Sequence, residues 1–302
     1  MKSNDIAVIG SLNYDIIIKQ DRLPKIGETI LVEKVTMVSG GKGANQAVQC
    51  SKLGLRTKML GMVGNDYFGD YLINNLDQYK IDTNYIKRSD KGTGLGIVNS
   101  FENGELLSTV YSGANYSLDK SYIDSVEEII INSKIVILQL EIPKDIVEKV
   151  IRIASENQCE VVLNAAPSKA ISLSSLKKVN YFVVNEEEAN FYTNIQIRSI
   201  DDAKTAIVKL NDITGNTIVI TLGSKGSLLY DGKNMIFLDP YDTKVVETTG
   251  AGDSYVGALA YGVLCGYDLK SLGLFSSKAS SLTIKNVGAQ ESMPTLEEVK
   301  AI

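Results

Sequence analysis

Histidine is absent from this 302-residue chain, cysteine occurs three times, and no basic run exceeds two residues. Without histidine there is no imidazole base, no imidazole nucleophile and no imidazole metal ligand. A proton acceptor must therefore be Asp, Glu, Lys, Tyr or Cys, and any metal is expected to be hard and oxygen-bound, such as magnesium. Cys50, Cys159 and Cys265 are odd in number, widely spaced and form no C-x-x-C, which argues against disulfides or zinc and for a reducing, cytoplasmic setting. The net charge of −5 and the lack of basic clusters make nucleic acid and anionic membrane poor partners. No apolar run approaches membrane-spanning length, and the first, Ile6 to Ile9, is too short for a signal-peptide core.

What is present is an ordinary soluble composition, 44% hydrophobic and 22% charged, with enough length for a large core. Short apolar runs at Ile6–Gly10, Lys58–Val63, Ile135–Leu140, Glu160–Asn164, Tyr181–Asn185 and Thr217–Leu222 read as buried parallel strands. Helical patterns lie among them at Gly43–Leu53, Phe68–Tyr79, Lys144–Asn157, Asp201–Asn211, Gly252–Cys265 and Leu269–Lys285. This alternation predicts a doubly wound α/β sheet with helices on both faces. Tyr14–Val38 and Thr93–Tyr111 lack a helical period and read as extra strands, the second containing an Asn103-Gly104 hairpin turn. They are expected to form a small projecting sheet, a lid or an edge decoration.

Two dense clusters carry chemistry. In Glu247-Thr248-Thr249-Gly250-Ala251-Gly252-Asp253, a Gly-rich turn runs into a helix with an acid in its first turn. Its backbone N–H groups lack intrahelical partners and sit at the positive end of the helix dipole, so the turn suits an anion. An anion hole beside a carboxylate is what phosphoryl transfer to a hydroxyl requires, although such a turn is also a common packing device. Neither G-x-x-x-x-G-K-[ST] nor G-x-G-x-x-G is present, because position 255 is Tyr. The second cluster is Ser39-Gly40-Gly41-Lys42-Gly43-Ala44-Asn45-Gln46-Ala47, where Lys42 and Asn45 fall on one helical turn. Asn13 and Asp15 follow the first strand, at the end where open α/β sheets bind ligands. An Asn–Asp pair suits hydroxyls, and equally suits capping a turn.

The joint occurrence, in this order, of Gly40-Gly41-Lys42-Gly43-Ala44-Asn45 and Thr248-Thr249-Gly250-Ala251-Gly252-Asp253 resembles the ribokinase family of carbohydrate kinases, the PfkB type. The resemblance runs from about Ile6 to Pro294 and is greatest to ribose-phosphorylating members, through Ser112-Gly113-Ala114-Asn115, Gln139-Leu140-Glu141, Asn164-Ala165-Ala166-Pro167 and Gly288-Ala289-Gln290. It implies one domain over residues 1–302, a three-layer α/β/α sandwich with a small β-sheet lid from about 14–38 and 93–111, and ATP-dependent phosphorylation of D-ribose. Asn13, Asp15, Gly41, Lys42, Asn45 and Glu141 would bind the sugar. Asp253 would bind and deprotonate its primary hydroxyl, beside an anion hole of Gly250, Ala251 and Gly252. Asn185 and Glu188 would organise magnesium and phosphates, partly through water. Thr221, Gly223, Gly226 and Ser277 would contact ATP.

The same resemblance implies a potassium site from Glu247, Thr249, Thr283, Asn286, Gly288 and Ser292, although relatives usually carry Asp at position 247. Lids in the family often pair between subunits, so a homodimer is expected. Tyr14 stands where many relatives have a smaller residue, which leaves deoxyribose, another sugar or a nucleoside as alternative acceptors. A silent sugar sensor and a doubly wound oxidoreductase are the readings from other classes. The intact Gly-Ala-Gly-Asp turn opposes the first and the missing dinucleotide fingerprint the second.

Overall fold

The computed structural model describes residues 5–32, 34–101 and 106–301. Six apolar runs form adjacent parallel strands: β1 (Asp5–Ile9), β4 (Arg56–Gly64), β8 (Ile135–Leu138), β9 (Glu160–Asn164), β10 (Tyr181–Asn185) and β11 (Thr217–Thr221). Three further strands, β5 (Ile86–Ser89), β12 (Ser227–Tyr230) and β13 (Met235–Leu238), complete a sheet of order β13-β12-β11-β10-β9-β8-β1-β4-β5. Only β12 and β13 run antiparallel to their neighbours, at one edge.

Side chains alternate across this sheet, so each central strand feeds two cores. Ala7 and Ile9 of β1, with Val136 and Leu138 of β8, pack against α3 (Lys120–Asn132), α4 (Lys144–Glu156) and α7 (Ile200–Thr214). Ile6, Val8, Ile135 and Ile137 face the other way, onto α1 (Lys42–Lys52), α2 (Tyr67–Gln78), α8 (Ala251–Leu264) and α9 (Leu269–Thr283). The result is the three-layer α/β/α sandwich expected from the sequence. Shorter helices α5 (Leu173–Leu176), α6 (Glu186–Thr193) and α10 (Leu296–Lys300) fill the periphery.

A second, four-stranded sheet has the order β3-β2-β6-β7, with β2 (Asn13–Lys19), β3 (Lys34–Gly40), β6 (Gly94–Ser100) and β7 (Leu106–Tyr111). Both segments that lack a helical period thus contribute strands, although residues 20–32 between β2 and β3 belong to none. The Asn103-Gly104 turn lies outside the described residues. Val35, Met37, Ile97 and Val110 of this sheet are exposed. No helix among the described residues is long and apolar enough to cross a membrane.

Candidate active site

Most long helices here begin on a capping side chain: Asp66, Asp119, Ser199 and Asp268 accept from the N–H groups that open α2, α3, α7 and α9. Helices α1 and α8 begin instead at Gly41 and Gly250, with no side-chain cap among the described residues. Gly250 has φ 79° and a Cβ there would stand 3.1 Å from Ala289. Gly41 has φ 87° and a Cβ there would lie 2.7 Å from the Asn13 nitrogen. Glycine avoids strain in both turns, and in the α8 turn the Ala251 N–H donates to the Thr248 carbonyl at 3.2 Å.

Helices α1 and α8 meet at Asp253, which is buried in the first turn of α8. Its oxygens accept from Asn45 Nδ2 at 2.9 Å and Gln46 Nε2 at 2.9 Å, contacts that span 208 and 207 residues. Burial pushes the Asp253 carboxyl above its ordinary range. The Lys42 ammonium and the two amides pull it back, while Glu141 adds to the rise. Burial also opposes the charge on Lys42, but the carboxylates of Asp253, Glu141, Glu188 and Asp15 outweigh it and hold the ammonium above its usual range.

Near Lys42 stand further polar groups of the kind that can hydrogen-bond a hydroxyl. Glu141, just beyond β8, accepts from Ser11 Oγ at 2.5 Å and from the Lys42 backbone N–H at 3.2 Å. Asn13 is buried, and its Oδ1 accepts from Asn115 Nδ2 at 2.8 Å. Asp15 sits two residues on, so its side chain lies on the same face of β2. Its carboxylate rests over Gly40 and Gly96 of the flanking strands, where a Cβ would come within 2.0 and 2.2 Å. Burial and the nearby Glu141 push Asp15 up to about 6, against the pull of Lys42. Tyr14 points to the opposite face and packs on Phe68 and Tyr71, with ring centroids 4.7 and 5.2 Å away.

A cleft of about 220 Å³ adjoins these groups, lined among others by Lys42, Asn164, Thr221, Gly250, Gly252 and Asp253. Asn185 and Glu188 also line it, joined in a reciprocal cap: each backbone N–H donates to the other's side chain at 2.8 Å. Burial pushes Glu188 up, although the Asn185 N–H and Lys42 oppose it. Gly223, Gly226 and Ser277 lie outside the cleft lining, and Ser277 Oγ is 3.3 Å from Ser227 Oγ.

Behind the α8 turn, Glu247 accepts from the Gly288 N–H at 3.1 Å, and Ser292 Oγ donates to the Gly288 carbonyl at 2.5 Å. Thr283 is buried and donates to Ser254 Oγ at 2.8 Å and the Ala279 carbonyl at 3.0 Å. Thr249 lies in the turn itself, and the Asn286 N–H donates to the Thr283 carbonyl at 3.4 Å. The groups here that could face a cation are carboxylate, hydroxyl and carbonyl oxygens. No cluster of three or more Asp, Glu or Cys able to hold a metal occurs among the described residues.

Residues 3–296 match the model of the pfkB family carbohydrate kinases. The chain belongs to the PfkB family of carbohydrate kinases. This PfkB kinase is 33% identical to a ribokinase of Lactococcus lactis over 98% of its own length and 96% of the relative's. It is 32% identical to a deoxyribokinase of Salmonella typhi, over 97% of each chain. Its fold matches the structure of Arabidopsis thaliana ribokinase complexed with ribose and ATP, at TM-score 0.92 and 30% identity, covering 100% of this chain and 98% of that one.

Sequence reasoning on the PfkB kinase left several site residues without a role: Ser11, Gln46, Asn115, Gln139, Asn164 and Gln290. Asn115, Gln139, Asn164 and Gln290 lie in the segments that carry the family resemblance, and Gln46 lies in the cluster around Lys42. An amide side chain has no period or spacing signature, so only the folded contacts reveal what it touches.

Proposed function

We propose that this kinase transfers the γ-phosphoryl group of ATP to the primary 5-hydroxyl of D-ribose, giving ADP and ribose 5-phosphate. The observation that carries the reading is the buried Asp253 beside the uncapped start of α8, facing Lys42 and the polar groups near it. The bond from the γ-phosphorus to the ADP oxygen breaks, a bond to the sugar oxygen forms, and Asp253 takes the hydroxyl proton. Gly250, Ala251 and Gly252 donate N–H groups to the transferred phosphoryl. Asn13, Asp15, Gly41, Lys42, Asn45 and Glu141 hold the sugar in line. Thr221, Gly223, Gly226 and Ser277 are assigned to ATP.

Magnesium, when bound, would offset phosphate charge, and Asn185 and Glu188 would organise it and the phosphates, partly through water. The oxygen donors of Glu247, Thr249, Thr283, Asn286, Gly288 and Ser292 fit a monovalent cation. The β2, β3, β6 and β7 sheet acts as a lid over the sugar, and its exposed Val35, Met37, Ile97 and Val110 support pairing with a second copy. A subunit-sized mass in gel filtration would remove the dimer. The deoxyribokinase relative favours deoxyribose as the second reading.

The direct test is ADP production from magnesium-ATP with D-ribose, 2-deoxyribose, fructose or adenosine, in potassium or sodium chloride. Ribose should give the highest kcat/KM, and potassium should exceed sodium. Preference for another acceptor would overturn ribose; equal rates in the two salts would overturn the cation site.

Asp15 yields a pH prediction. Its native value of about 6 lies above the usual range near 4, so its charge opposes folding. That opposition is absent below about pH 4, grows as pH rises toward 6, and is complete above it. Asp15→Asn should therefore raise the thermal midpoint at pH 8 and leave it nearly unchanged at pH 4. The same variant should raise the sugar KM by roughly 10–100-fold, the value of a charged hydrogen bond. A KM equal to wild type would take Asp15 out of the sugar site.

A further inference from the structure

The two oxygens of Asp253 each end a line of amide side chains. On one side Asn75 Nδ2 donates to Gln290 Oε1 at 2.6 Å, Gln290 Nε2 donates to Asn45 Oδ1 at 3.0 Å, and Asn45 Nδ2 reaches Asp253 at 2.9 Å. On the other side Gln139 Nε2 donates to Gln46 Oε1 at 2.6 Å, and Gln46 Nε2 reaches Asp253 at 2.9 Å. Gln46, Gln139 and Gln290 are fully buried.

An amide presents a donor or an acceptor to a neighbour with almost the same shape, so its partners decide which end points where. An ionised carboxylate only accepts. Asn45 and Gln46 must then turn their NH₂ groups toward Asp253 and their oxygens away. Those oxygens need donors, and Gln290 and Gln139 supply them. Gln290 is held in turn by Asn75. Gln139 has its own oxygen without a partner among the described residues, packed so close to Gly10 that a Cβ there would lie 1.9 Å away. Turning Gln139 over would set its oxygen against that of Gln46, so a buried acceptor is left unsatisfied to keep the line pointing at Asp253. Aligned amides also polarise one another along each line.

We propose that Asn75, Gln290 and Gln139, none of which touches substrate in this reading, are positioning residues that lock Asn45 and Gln46 with their donors on both oxygens of Asp253. The inference rests on Asp253 being the base. Donors on a carboxylate favour its ionised form, so breaking either line makes the base protonate at higher pH. The other groups facing Asp253 are Lys42 from α1, Glu141 beyond β8, Glu188 from α6 and Asp15 from β2. All four stay in place when an amide of the lines is changed.

The test measures kcat/KM for the sugar from pH 5 to 9 in wild type, Gln290→Met, Gln139→Met and Asn75→Leu, with Asp253→Asn alongside. The acid limb should move up by about half to one pH unit in the line variants. Their rates should fall roughly 3–10-fold on the acid limb and recover on the plateau above it, with the ATP KM unchanged. Asn75 is half-buried on α2, so its variant reports on the first line even if Gln290→Met does not fold. An acid limb that stays put, or a loss equal at every pH, overturns the proposal while Asp253→Asn remains inactive. Normal turnover by Asp253→Asn removes the base itself, and the proposal with it.

Discussion

Asp253→Asn should lower turnover by roughly 10²–10⁴ while leaving ATP affinity nearly intact, the usual range for losing a positioned base. A sugar hydroxyl is a weak acid and a weak nucleophile. The base therefore contributes by holding it in line and accepting its proton late, and an amide does neither well. The substitution also sets an NH₂ against Asn45 Nδ2 or Gln46 Nε2, which now both donate to Asp253. ATP should be little affected, because the uncapped N–H groups of α8 belong to the backbone. The measurement is kcat by ADP production together with ATP binding by calorimetry. Wild-type turnover in the variant would exclude Asp253 as base.

Gly250→Ala should cost roughly 10²–10³ in kcat, comparable to losing one anion-hole donor. The native φ of 79° disfavours any L side chain by about 1–2 kcal/mol, and the new Cβ would press on Ala289 at 3.1 Å. The turn must open, and the N–H groups of Ala251 and Gly252 move with it. Gly252→Ala is the informative companion. A Cβ at Gly252 meets nothing within 4 Å. That variant should keep the wild-type melting temperature, since no packed group is disturbed. If Gly250→Ala matches wild type in kcat, the α8 turn is not the anion hole.

Much of the frame was legible because the central strands are buried on both faces and read as unbroken apolar runs. Glu160–Asn164 and Tyr181–Asn185 match the structure at both ends. Strand β8 stops at Leu138 rather than at position 140, because Gln139 leaves the ladder to meet Gln46. Helix α3 is hard to read from sequence: its apolar face Tyr122, Ile123, Val126 and Ile130 blends into the run Ile129-Ile130-Ile131, which obscures the period. The antiparallel edge strands β12 and β13 have only four residues each, too few to establish an alternation.

For the site, charge and glycine were readable and geometry was not. Asp253 and Lys42 stand in recognisable turns, but nothing local says that positions 45 and 253 touch. Asn185 opens α6, and its reciprocal bond with Glu188 needs the three-residue spacing between them. Tyr14 shows the opposite case. Its size relative to the residue in many relatives left its effect on the acceptor open, and strand alternation turns its ring onto α2.

The place of β1 in the middle of the sheet bears on how activity first arises in a growing chain. Its ladder with β8 pairs Ile6 with Ile135, so the first strand made must wait for more than a hundred later residues before both its edges are covered. Long-range parallel pairing of this kind is slow, and it leaves apolar edges open meanwhile. Asp253 arrives later still, as the α1–α8 contacts close across 208 residues. Refolding or synthesis should therefore regain sheet structure well before it regains turnover, and the interval between the two is when the chain most needs protection from its neighbours.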